Sequence, residues 1–218
     1  MRAFLCLVLF SLVSSFARAQ NQFGARLGVT ASTVTGDFAA ADDAAARYGF
    51  VGGFYLAFPL RYDFAVQAEV LYVQKGFQTD GATITGTGGV PITGTSATFE
   101  LTTLDLPLLL TYTASLTSDL TVRPYAGPYV SFELSERVTA DTDLGPISEE
   151  ADSFVSTDIG FAVGFDLSLR FDTFEPTLGL RYARSAANVL EDEAIEASPV
   201  SDATAYNSVV AVFVALRL

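Results

Sequence analysis

Ten charged side chains fall at alternate positions within stretches of otherwise apolar and small residues: Arg26, Glu69, Lys75, Asp105, Arg123, Glu133, Asp158, Asp166, Arg181 and Arg217. Glu175 shares that register. Carboxylates and cations mixed in this way can do two kinds of work. A positioned carboxylate pair can move protons on a substrate, or the ions can satisfy one another in a buried, hydrogen-bonded network. The near balance of signs favours the network, because charged groups are almost never buried unpaired. A narrow polar channel lined by the same groups is the alternative. The chain has no histidine, which removes the commonest general base and metal ligand. No serine, acid and base fall together in the same register, so no nucleophilic set is formed. The expected catalytic, cofactor-binding and metal residues are none, and the chain is not expected to be an enzyme.

Two further patterns have the composition of sites. Acidic side chains gather in the segments between the alternating stretches: Glu136, Asp141, Asp143, Glu149, Glu150 and Asp152, then Glu191, Asp192, Glu193, Glu196 and Asp202. Hard cations take carboxylate oxygens, so divalent cations are conceivable partners there. However, Asp141-Thr142-Asp143-Leu144-Gly145 lacks the later glutamate of a calcium loop, and a solvated acidic surface is the favoured reading. The glycines at Gly86 and Gly88-Gly89 do not complete a dinucleotide fingerprint, since Pro91 stands where the last glycine belongs.

The elements that must position the ions are strands. Side chains in a strand alternate between two faces, and the carboxyl-terminal segment shows this plainly: Val210, Val212, Val214, Leu216 and Leu218 lie on one face, with Ala211, Phe213, Ala215 and Arg217 on the other. Eight such stretches are predicted, at about Gln22–Ser32, Tyr48–Phe58, Phe64–Lys75, Phe99–Tyr112, Leu120–Leu134, Val155–Phe171, Phe174–Tyr182 and Tyr206–Leu218. In each, one register is greasy, as with Leu104, Leu106, Leu108 and Leu110, or Ile159, Phe161, Val163 and Phe165, and the other is polar or small. Each is long enough for a tilted crossing of a hydrocarbon layer. Connections alternate between short (Pro59–Asp63, Thr113–Asp119, Asp172-Thr173) and long (about Thr33–Arg47, Gly76–Thr98, Ser135–Phe154, Ala183–Ala205). The first long connection contains an alanine run with the composition of a short helix. In the second, Ile84-Thr85-Gly86-Thr87 recurs as Ile92-Thr93-Gly94-Thr95, which reads either as a protruding hairpin with Gly88-Gly89 near its tip or as a flexible loop. Short turns on one rim and long loops on the other are the pattern of a transmembrane barrel. The expected fold is all-β: an eight-stranded antiparallel up-and-down transmembrane β-barrel with an apolar exterior and a polar interior.

Residues 1–19 read as a secretory signal: Arg2 gives a positive start, Phe4–Phe16 an apolar run, and Ala17-Arg18-Ala19 a small-x-small cleavage site. Residues 20–218 then form one barrel domain. Half of the chain is hydrophobic, yet no later run of apolar residues is long enough for a membrane helix. The one cysteine, Cys6, falls in the signal, so no disulfide or thiol chemistry is expected beyond it. The formal net charge is −13, and a surface this acidic is a poor match for nucleic acid.

Five quoted segments, in order, resemble a known family: Phe23-Gly24-Ala25-Arg26-Leu27-Gly28, Glu69-Val70-Leu71-Tyr72-Val73-Gln74-Lys75-Gly76, Leu104-Asp105-Leu106-Pro107-Leu108-Leu109, Arg123-Pro124-Tyr125-Ala126-Gly127-Pro128, and Leu180-Arg181-Tyr182. Together they are similar to the PorT-like outer-membrane β-barrel proteins, also described as porin-family or OMP-b-brl domains, over almost all of the chain after residue 19. The resemblance implies a barrel placed in the outer membrane by the barrel-assembly machinery, and it implies no activity and no cofactor. One relative assists a protein-secretion system. The chain departs from the family in ending on Leu218 rather than an aromatic, and in carrying Asp105 where glutamate is common. The expected function is a structural, adhesive or envelope-integrity role for a monomer surrounded by outer-membrane lipid, with its long loops outside the cell and its interior plugged. A small-solute porin and an accessory part of a secretion system are the alternatives.

Overall fold

The computed structural model describes residues 21–37, 44–80, 83–86, 90–93, 96–142, 145–150, 155–172, 174–190 and 204–217. The proposed signal and its cleavage site, Leu218, and the acidic run from Glu191 to Asp202 lie outside the described residues. So do Asp143, Asp152 and Ala39–Ala41 of the first alanine run; of its other half, Ala45 and Ala46 open a strand.

Twelve strands are described: β1 (Gln22–Thr35), β2 (Ala45–Pro59), β3 (Phe64–Asp80), β4 (Thr83–Gly86), β5 (Val90–Thr93), β6 (Ser96–Tyr112), β7 (Ala114–Ser115), β8 (Leu120–Thr142), β9 (Gly145–Glu150), β10 (Thr157–Leu169), β11 (Pro176–Ser185) and β12 (Tyr206–Arg217). Eight of these close a ring, β1-β2-β3-β6-β8-β10-β11-β12, in which β12 pairs back onto β1 and every neighbour is antiparallel. Closure leaves no open edge within a membrane, where an unpaired backbone group costs several kcal/mol. Following paired residues from Arg26 through Gly53, Leu71 and Asp105 arrives at Ser131 on β8, whereas the other way round, through Ala215, Thr177 and Ser168, arrives at Thr121. The two arrivals are ten residues apart, which is the stagger of the barrel, and it tilts the strands by about 40°.

The short turns share one rim with the start of β1 and the end of β12, and the long connections share the other. At the first short turn Tyr62 and Asp63 both take positive φ, 58° and 62°, the geometry of a type I′ hairpin turn, here built without glycine. Exposed rings cluster on this rim: Phe64 against Tyr112 at 5.0 Å and Phe171 against Phe174 at 4.9 Å, an aromatic girdle of the kind that sits at a membrane interface. Above it the outward register is apolar all round, including Leu27, Phe54, Val70, Leu106, Leu108, Phe161, Val163, Leu178 and Val214.

Strands on the long-loop side run further than the sequence pattern indicates. β8 continues to Thr142, β3 to Asp80, and β6 begins at Ser96, so a sheet of β3, β6, β8 and β9 rises well beyond the length a hydrocarbon crossing needs. Period-two reading loses this part because β8 carries a bulge: Thr103 opposes Glu133 but Thr102 opposes Ser135, leaving Leu134 extra. A bulge of one residue shifts every later side chain to the other face. Glu136, Val138 and Ala140 are therefore buried, which corrects the placement of Glu136 on an acidic surface loop. In the recurrent region β4 and β5 pair as a hairpin, with Ile84 opposite Ile92; Gly88-Gly89 lie outside the described residues.

Candidate functional site

With eight strands staggered by ten residues, each step round the ring climbs by about one and a quarter residues, and this sorts the inward side chains into layers. Lowest, near the short turns, Arg217 pairs with Glu175 at 3.2 Å. Arg123 is buried at this level on β8, directly opposite Asp166 of β10 in the register.

The next layer is an ion cluster. The Arg181 guanidinium donates from Nη1 and Nη2 to both Glu69 oxygens, at 2.8 and 2.9 Å, the planar fork geometry that arginine is built for. Arg26 reaches Glu69 at 3.4 Å and donates to Asp166 at 3.2 Å. Gln67 Nε2 donates to Glu69 at 2.6 Å. Two cations face two carboxylates, drawn from β1, β3, β10 and β11. Rings from three other strands complete the layer: Arg26 lies over Tyr55 (5.0 Å) and Phe213 (5.1 Å), and Arg181 over Tyr125 and Phe213 (both 5.0 Å). Phe213 thus lies within reach of both guanidinium groups and satisfies part of each by cation–π attraction.

Above this lies an apolar layer of Val51, Leu71, Val73 and Ala211 over Phe213. It encloses a cavity of about 30 Å³ bordered by Pro107, Ala162 and Val209, room for little more than a water molecule.

A second polar layer follows. Lys75 Nζ donates to Asp105 at 2.9 Å and to Ser131 at 3.1 Å. Asp105 also accepts from Ser131 at 2.5 Å and Thr103 at 2.8 Å. Beside them Asp158 Oδ2 accepts from Ser185 at 2.6 Å and Tyr129 at 3.4 Å. An apolar lid closes the top: Val34, Phe77, Val189, Leu190 and Ala205, with Phe99 stacked on Phe77 at 4.5 Å. Val189 and Leu190 follow β11 and are held inward by backbone bonds from Val155 to Val189 and from Val189 to Ala205.

Of the ten residues singled out in the sequence, Arg26, Glu69, Asp166 and Arg181 meet in one cluster, and Lys75 and Asp105 in another. Asp158 and Glu133 border the second, Arg123 lies beneath the first, and Arg217 meets Glu175 near the rim. Sequence reasoning did not single out the aromatic partners Tyr55, Tyr125, Tyr129 and Phe213. A signal for them exists: each sits in the inward register directly opposite an inward glycine, Tyr55 at Gly24, Tyr125 at Gly164, Tyr129 at Gly160 and Phe213 at Gly179. A Cβ added at Gly24 would come within 2.3 Å of the Tyr55 ring, so the ring occupies the space the glycine leaves.

The model of the outer membrane protein beta-barrel domain family matches residues 18–191. No curated protein matches the sequence. Among solved structures the chain is similar to Neisserial surface protein A, at 14% identity and a TM-score of 0.47, covering 90% of this chain and 97% of that one. It is similar to Ail, the attachment invasion locus protein of Yersinia pestis, at 9% identity and a TM-score of 0.42, covering 91% and 99%. It is also similar to OprG of Pseudomonas aeruginosa, at 11% and 0.48, covering 92% and 97%. The chain belongs to the outer-membrane β-barrel domain family, and that family places it in the Gram-negative outer membrane.

Proposed function

We propose that this member of the outer-membrane β-barrel family is a sealed barrel whose work is done by the structure it raises beyond the membrane, in a structural, adhesive or envelope-integrity role, and not by passing solutes. One observation carries the reading: the described interior is filled, layer upon layer, and two cavities between its layers hold only about 30 and 10 Å³. A hydrated ion needs a continuous wet path, and a small eight-stranded barrel has no spare width once side chains fill it. The tall sheet of β3, β6, β8 and β9 supports the second half of the reading, since β8 has 23 residues where a crossing needs about ten. Its long-loop rim faces outward from the cell, and the barrel acts as a monomer wrapped in outer-membrane lipid after delivery by the assembly machinery. Divalent cations at the acidic connections would add to surface cohesion. Catalysis has no evident place in a chain without histidine. The finer likeness to PorT rests on the five segments quoted above, and pull-down from native membranes tests it.

Planar-bilayer recording on the purified barrel tests the seal. The expected trace is flat at voltages that leave the bilayer intact. Regular unit conductance steps would make the chain a channel and overturn the proposal.

A further inference from the structure

At the short-turn end of the interior two guanidinium groups meet one carboxylate. Arg217 is paired with Glu175 at 3.2 Å. Arg123 is 7% exposed, yet its guanidinium is in no hydrogen bond or ion pair among the described residues. The ionisable groups acting on it are Arg217, foremost, then Asp166, Tyr55 and Glu175. Asp166 stands opposite in the register, but its Oδ2 accepts from Arg26. Its Oδ1 lies over Gly179 of β11, on the side of β10 away from β8, and a Cβ added at Gly179 would come within 2.5 Å of that oxygen. Glu69, the remaining carboxylate of the lower half, is taken by Arg181 and Arg26. Arg26, Arg123, Arg181 and Arg217 thus face Glu69, Asp166 and Glu175, with one positive charge in excess. Arginine does not shed its proton, and a buried charge without a countercharge is costly. Water supplies hydrogen bonds there but no charge. The level is open to the aqueous side, since the Arg217 side chain is 31% exposed and that of Glu175 15%.

We propose that this mouth of the barrel binds a small carboxylate, with the Arg123 guanidinium forking onto its two oxygens and Arg217 beside it as the second cation. The planar fork of arginine matches a carboxylate in shape as well as charge. One negative charge balances this end of the barrel, whereas a phosphate dianion overshoots it. The ligand also bridges β8 and β12, which lie apart in the ring.

The rival is a turn of Arg123 onto Asp166, which needs no ligand and predicts no response to one. The full-length barrel is folded from urea into detergent micelles in sodium acetate or in sodium chloride at equal ionic strength and pH, and thermal unfolding is followed by circular dichroism. Acetate should raise the midpoint by about 3 °C. Arg123→Gln should abolish that difference, whereas Arg61→Gln, at an exposed turn position, should keep it. Equal midpoints in the two salts, or an acetate effect that persists in Arg123→Gln, would overturn the site. N-acetylalanine in place of acetate separates a free acid from the carboxyl end of a chain. A shift with both extends the site to chain ends, a shift with acetate alone confines it to small acids, and either supports it. Should Arg123→Gln not fold, the carboxyl carbon-13 NMR line of labelled acetate decides on the wild-type sample. Broadening beyond that of empty micelles supports the site, and an unbroadened line removes it. A flat or stepped bilayer trace bears on the seal above this mouth and leaves the test unaffected.

Discussion

The two polar layers of the barrel are built from the same residue types and solve different problems. In the lower layer Arg26 and Arg181 face Glu69 and Asp166, charge for charge, and both guanidinium groups lie against Phe213. In the upper layer Lys75 pairs with Asp105, and Asp158 lies beside them in the lining of the same small cavity. The lower layer is joined by ion pairs across the barrel and fixes strands β1, β3, β10 and β11 relative to one another. The upper layer leans on neutral donors, with hydroxyl groups of Thr103 and Ser131 bonding Asp105 and those of Ser185 and Tyr129 bonding Asp158. A buried carboxylate is answered by a fork of cations in one layer and by an ammonium with hydroxyl donors in the other.

Breaking the balanced layer should have the largest effect. Glu69→Ala strands two guanidinium groups beside each other, and removal of one partner from a buried pair costs about 3–5 kcal/mol. The unfolding midpoint in micelles should fall by about 10 °C or more, and a fall under about 3 °C would show the cluster is not holding the barrel. Asp105→Ala should do less, about 2 kcal/mol, because Asp158 and Glu133 remain near Lys75 to take part of its charge; a loss as great as that of Glu69→Ala would erase the contrast between layers. Gly160→Ala tests the ring packing that flanks the upper layer. Its Cβ would lie 2.4 Å from the Tyr129 ring and from the Arg184 carbonyl, and overpacking of this kind costs about 1–3 kcal/mol. The smallest effect belongs outside both layers. Arg47→Ala removes the rim pair with Glu100, whose side chain is 38% exposed, and the midpoint should move by no more than the worth of a surface ion pair, under about 1 kcal/mol. A larger loss would mean the rim contributes to the interior.

The barrel was legible in the sequence wherever period two held without interruption. In β12, Val210 to Leu216 face out and Ala211 to Ala215 face in, as the alternation dictates, and in β6 Leu104 to Leu110 alternate with Asp105 and Pro107. The reading failed past Leu134, because a single inserted residue leaves composition unchanged while it reverses the facing of Glu136, Val138 and Ala140. It also could not anticipate that Val189 and Leu190 of a polar connection turn inward as a lid, since two apolar residues in a loop carry no periodicity. For the interior, alternation identified which charges point inward but not which ones meet. Arg26 and Asp166 are 140 positions apart, and only the stagger of the closed ring brings them to one level.

Every part of this account depends on which face of the strands meets lipid. Leu108 and Leu109 are neighbours of identical chemistry, one 53% exposed on the outward register and the other 0% exposed on the inward one. Carbene labelling of the reconstituted native barrel from a bilayer-dissolved diazirine, read by mass spectrometry, separates them directly. The account predicts adducts on Leu108, Leu110, Phe161 and Val163 and none on Leu109, Leu71 or Val73. Labelling concentrated on Leu109, Leu71 and Val73, with Leu108 and Phe161 spared, would contradict it.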